Sequence, residues 1–67
     1  MSAVLAKRER EILDVLYRLG RATVTEVLEA LNDGRSYSTV RTQLRLLEEK
    51  GHARHEVDGP RFVYLPA

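Results

Sequence analysis

The chain has 67 residues, 11 Lys plus Arg against 10 Asp plus Glu, a formal net charge of +1, and neither Cys nor Trp. This length builds one small domain and rarely walls the deep pocket an enzyme needs, and the lack of Cys excludes a disulfide scaffold, a thiol nucleophile and a thiolate metal site. The apolar runs fall far short of the ~20 residues that span a membrane; the apolar Met1–Ala6 stretch precedes Lys7 and Arg8, the reverse of a signal peptide, and a Cys-free chain fits the reducing cytoplasm.

The first predicted helix covers about 7–19. Ile12, Val15, Leu16 and Leu19 recur at the spacing of one buried helical face, Lys7 and Glu11 are an i,i+4 pair on the wet side, and Gly20 is a stop signal. Residues 21–23 read as a short extended segment able to pair as a strand. The second helix covers about 24–31. Thr23 and Glu26 have capping-box spacing, Val24, Val27, Leu28 and Leu31 form the apolar face, and Asn32-Asp33-Gly34 ends the helix.

Ser36 is the expected N-cap of a third helix, about 37–50, with Gly51 behind it. Tyr37, Val40, Leu44 and Leu47 fall on one side at 100° per residue. Ser38, Arg41, Thr42, Arg45 and Glu49 fall on the other, and Leu46 belongs to neither face. Two strands follow, about 52–57 and 61–65. Asp58-Gly59 is a hairpin signal. A two-residue loop on that dipeptide would pair Val57 with Pro60, which has no N–H to donate. The expectation is therefore a four-residue loop, Val57–Pro60, closed by Glu56 opposite Arg61.

Helix, short helix, helix and hairpin is the order of a winged helix-turn-helix, an α+β fold that is mostly α. In that geometry the third helix enters the major groove of DNA and its N-terminal residues meet base edges. Ser38 and Thr42 can exchange hydrogen bonds with bases or phosphates, and Arg41 can fork onto guanine or phosphate. Arg45 sits one turn on, where the duplex backbone would run. No acid precedes Glu48 on this helix. Ser36, Ser38, Thr39, Arg41, Thr42 and Arg45 therefore form an acid-free stretch in an acid-rich chain. Nine of the 11 basic residues are Arg, the residue suited to bidentate contacts with phosphate and base edges.

Ser36 reads first as a cap. Arg41 and Thr42 read as DNA contacts rather than as a merely solvated face. In the hairpin, Arg54 and Arg61 are candidates for phosphate or minor-groove contacts and His55 for the backbone, with pairing to Glu56 as the alternative role of Arg61. His52 and His55 are too isolated to hold a metal, no triad partners surround Ser36, Ser38 or Thr39, and nothing calls for a cofactor. The competing reading is a winged-helix protein-interaction module, which an exposed apolar patch around Leu46 and Leu65 would support.

Lys7-Arg8-Glu9-Arg10-Glu11-Ile12-Leu13, Ser38-Thr39-Val40-Arg41-Thr42, Leu47-Glu48-Glu49-Lys50-Gly51 and Phe62-Val63-Tyr64 together resemble the penicillinase-repressor (BlaI/MecI-type) family of bacterial transcriptional regulators, over essentially the whole chain. The resemblance implies a winged-helix domain that binds a palindromic operator on double-stranded DNA and represses transcription. It implies operator contacts from Ser38, Thr39, Arg41, Thr42 and Arg45, with Arg61 in the wing. It also implies a homodimer, although the helical dimerisation region usual in the family is absent from these 67 residues. Ala6 stands where a Ser or Thr cap is common, so the first helix is expected to fray. His52 stands where a large apolar residue is frequent, and is expected to be wet or hydrogen-bonded. Without Cys, the copper-responsive branch of the family is excluded.

Overall fold

The first helix, α1, spans Lys7–Leu19 in a computed structural model that describes residues 5–67. The first four residues of the apolar stretch ahead of Lys7 lie outside the described residues. Then follow β1 (Ala22–Thr23), α2 (Val24–Leu31), α3 (Tyr37–Glu49), β2 (Ala53–Asp58) and β3 (Arg61–Pro66). The strands form an antiparallel sheet in the order β1-β3-β2, so the short segment after α1 does pair as a strand, on β3. The architecture is the mostly helical winged helix-turn-helix that the pattern of elements implied.

Local chemistry explains where the helices begin. Thr23 Oγ1 accepts from the Glu26 N–H at 3.2 Å, and the Glu26 carboxylate accepts from the Thr23 N–H at 2.8 Å, a complete capping box. Ser36 Oγ accepts from the Thr39 N–H at 3.1 Å and starts α3. The methyl of Ala6 offers α1 no acceptor. Half a box remains, because Glu9 accepts from the Ala6 N–H at 3.0 Å. Glu9 is buried and also accepts from Lys50 Nζ at 2.7 Å. The start of α1 is thereby tied to the end of α3, which counters the fraying that Ala6 alone predicts. Asn32 ends α2 in the left-handed region, φ 46°, which asparagine tolerates better than most residues.

Ile12, Leu16, Val27, Val40, Leu44 and Leu47 are fully buried and form the centre of the core. Each such side chain contributes about 1.5–3 kcal/mol by leaving water. The periodic patterns overreach this core at both ends. Leu19, in the last turn of α1, is 45% exposed, and Tyr37, in the first turn of α3, is 51% exposed. Both have the right helical phase but project past the layer they would pack against. Leu46 is half-buried beside the core face. His52 differs from its expected wet position: its Nε2 is buried and has no hydrogen-bond partner among the described residues.

The hairpin register also differs from expectation. Asp58, not Glu56, opposes Arg61, and Val57 opposes Phe62. The loop is the two residues Gly59 and Pro60 rather than the four from Val57 to Pro60. Sliding the turn one residue onward puts Pro60 in the loop, where no ladder N–H is required. Gly59, with φ 61°, takes the left-handed first position that a primed turn demands. The strand bounds move with it, to 53–58 and 61–66. At the other end of the connection, α3 stops at Glu49, and the backbone N–H of His52 caps the Leu47 carbonyl at 2.9 Å.

Candidate nucleic-acid interface

The N-terminal half of α3 is exposed from Ser36 to Thr39 and again at Arg41 and Thr42, with Val40 alone turned into the core. Ser38, Thr39 and Thr42 line one shallow patch on the outer side of the helix, together with Gln43. Ser36 spends its hydroxyl on the cap and donates to Thr39 Oγ1 at 2.9 Å. Arg41 has no carboxylate partner among the described residues. Arg45 reaches Glu49 at 3.8 Å, a solvated i,i+4 contact worth little.

The hairpin stands beside α3, and two clefts run between them. One is lined by residues including Arg41, Arg45, Glu48, His55, Phe62 and Tyr64. The other, a wider groove of ≈ 520 Å³, includes Thr25, Glu26, Tyr37, Arg41, Arg61 and Phe62. Arg41 and Phe62 border both. Arg61 therefore joins the α3 residues across a groove, with a 3.6 Å contact to Asp58 at the turn. Arg54 does not join them. It alternates with His55 along β2 and so points to the other face of the strand, where it pairs with Glu56 at 2.9 Å. His55 faces α3: its Nδ1 meets the Glu48 carboxylate at 2.7 Å, and its ring stacks on Phe62 with centroids 4.5 Å apart.

Two acids border these clefts, and each is occupied. Glu48 is held by His55. Glu26 is held below the usual carboxylate range chiefly by the Thr23 N–H it accepts from. Tyr64, behind Phe62, is pushed up by burial and stays a neutral phenol.

Arg35 is the residue that sequence reasoning missed. Its side chain is only 3% exposed. It donates to Asp33 at 2.8 Å, to Gln43 at 3.1 Å, to the Arg8 carbonyl at 3.2 Å, and to Glu11. It thereby takes Glu11 in place of the expected Lys7 partner, and clamps the turn before α3 to α1. Burial works against the Asp33 charge, but its hydrogen bonds with Arg35 prevail and hold its pKa below the ordinary value. The Asp33 Oδ1–Arg35 N–H contact at 3.3 Å is the local signal that could have marked this turn. The contacts to α1 and α3 have no signal in sequence.

Among the described residues, no helix is long and apolar enough to cross a membrane. The family model described as "Penicillinase repressor" matches residues 5–67. The DNA-binding domain of the repressor BlaI, solved in solution, is 28% identical with a TM-score of 0.83, over 98% of this chain and 85% of that one. The Zalpha domain of PKZ, crystallised with ds(CG)6, is 30% identical with a TM-score of 0.80, over 90% of this chain and 94% of that one. A HOP2 structure comprising DNA-recognition and protein-interaction domains is 19% identical with a TM-score of 0.78, over 88% and 97%, a likeness of fold alone. No curated protein matches the chain.

Proposed function

The chain belongs to the penicillinase repressor family, and on that premise we propose that it is a sequence-specific double-stranded DNA-binding regulator, acting as a transcriptional repressor in the cytoplasm. α3 enters the major groove and the β2–β3 hairpin acts as the wing. The observation that carries this reading is the acid-free exposed face of α3 beside a groove flanked by Arg41 and Arg61. Arg41, Ser38 and Thr42 read base edges, and Thr39, Arg45 and Arg61 meet phosphates. Ser36 contributes by capping. Arg54, paired on the far side of the wing, is at most a distant phosphate contact. The free amides and partial positive charge at the α3 N-terminus favour the same partner.

One domain of this size covers one half-site, and a palindromic operator takes two copies, one helical turn apart. BlaI, by its description, is a repressor, and the Zalpha domain was crystallised on a duplex; both support the DNA reading. Leu46 and Leu65, which an interaction module would expose, are both half-buried.

The test is a salt series with a duplex. Each phosphate contact contributes about 0.9 to the slope of log affinity against log salt. Arg61→Ala is expected to reduce the slope by about that much and to weaken all sequences alike, whereas Arg41→Ala erodes discrimination by about 1–3 kcal/mol per contacted base pair. Binding that is indifferent to salt would overturn the reading.

A further inference from the structure

Phe62 is 47% exposed, an unusual position for the chain's single phenylalanine. Its ring is not loose. One face stacks on His55, with 17° between the ring planes, and His55 is fixed in turn by Glu48 of α3. α3 therefore sets the plane of an aromatic ring on the wing, and the remaining surface of that ring borders the groove between them. Arg41 from α3 and Arg61 from β3 line the same groove.

We propose that Phe62 is the apolar floor of a channel that takes one sugar–phosphate strand of the duplex, its ring packing against a deoxyribose while Arg61 faces a neighbouring phosphate and Arg41 reaches past the strand to the base edges. This rests on the DNA-binding reading above and adds to it a contact without charge. A nucleic acid strand alternates phosphate and sugar, and the groove offers a cation, Arg61, together with an apolar ring. The bases are turned inward in the stacked duplex, so the contact is independent of sequence. Of the acids bordering the clefts, Glu26 stays ionised but lies within the field of Arg61 and Arg21, which offset its charge, and Glu48 is engaged by His55. A ring already oriented by its neighbours loses little freedom on binding.

The experiment measures affinity for a mixed-sequence duplex about two helical turns long, at several salt concentrations. Phe62→Ala is expected to bind about five- to tenfold more weakly, through the apolar contact area lost, with an unchanged salt slope. Phe62→Leu, which keeps an apolar strand residue but lacks a flat face, is expected to fall between, and Phe62→Tyr to stay near wild type. The same three variants give closely similar thermal melts, because the ring lies outside the buried core. If Phe62→Ala and Phe62→Leu bind like wild type, the channel floor is refuted while the DNA reading stands. If the loss comes with a shallower salt slope, the ring acts only by positioning the arginines, and the sugar contact is refuted. If the wild type binds no duplex at low salt, the DNA reading itself falls and takes this contact with it.

Discussion

Arg35 and Arg41 flank the Ser36 cap on either side and have opposite surroundings. The Arg35 side chain is buried, and four of its five N–H donors go to two carboxylates, an amide oxygen and a carbonyl. Arg41 is exposed at the junction of two clefts with no carboxylate partner among the described residues. The contrast extends to the regions they represent. The junction of α1 with the ends of α3 is a closed electrostatic network, in which Glu9 holds Lys50 and Glu11 and Asp33 hold Arg35. The outer face of α3 is open. A net charge of +1 thus averages a neutralised scaffold with an open surface whose arginines have at most loose, solvated partners, and an arginine count mixes the two roles.

Breaking the scaffold side has the largest expected effect. Arg35→Ala leaves two carboxylates and Gln43 without their donor, and a loss of about 2–3 kcal/mol is expected in denaturant unfolding, below the value for fully buried pairs because both carboxylates keep some water. Arg35→Lys recovers only part, since one ammonium cannot reproduce the planar fork. An Arg35→Ala protein as stable as wild type would remove the distinction between the two arginines.

Glu9 is the next point of attack. Its hydrogen bond from Lys50, then that from Ala6, lowers its pKa from the ordinary 4.5. A carboxyl with a depressed folded-state pKa stabilises the fold fully above its unfolded value and loses that contribution as pH falls through the lower, folded one. Unfolding measured from neutral pH downward is therefore expected to lose about 1–2 kcal/mol below pH ~4.5 from this group. Glu9→Gln is expected to be less stable at neutral pH and to show a flatter acid limb. Parallel profiles for the two proteins would contradict that assignment.

The third expected effect sits on the boundary between the regions. Ser36→Ala removes the cap of α3 and is expected to cost about 1 kcal/mol, read as a shift in the unfolding midpoint. Ser36→Asp is expected to restore it. Since Ser36 serves the helix and not the ligand, the alanine variant should keep the wild-type salt slope on DNA.

The helices were legible because their signals are local: Thr23 with Glu26, Ser36, and the spacing of Ile12–Leu16 and Val40–Leu47 each act within one or two turns. Legibility ended where a residue's environment depends on distant parts of the chain. Periodicity cannot tell where the core stops, so Leu19 and Tyr37 carry the phase of buried residues while standing in solvent. The turn was misread by two residues of β2 because Pro60 can be accommodated in two ways, by lengthening the loop or by occupying it, and the second keeps a tight turn on Gly59. Arg35 was invisible because its partners Glu11 and Gln43 come from different helices. In the candidate site, the acid-free run on α3 could be seen directly. The stack of Phe62 on His55 beside Arg41 needed the register of the sheet.

The central claim is that the open α3–wing side receives the duplex and the closed α1 side does not. Backbone amide shifts followed while a duplex is titrated into the protein test it most directly. The account predicts that the perturbed amides cluster at Ser36–Arg45 and Val57–Phe62, while Tyr17 and Leu19 on α1 stay silent. Perturbations centred on α1, or none anywhere at low salt, would contradict it.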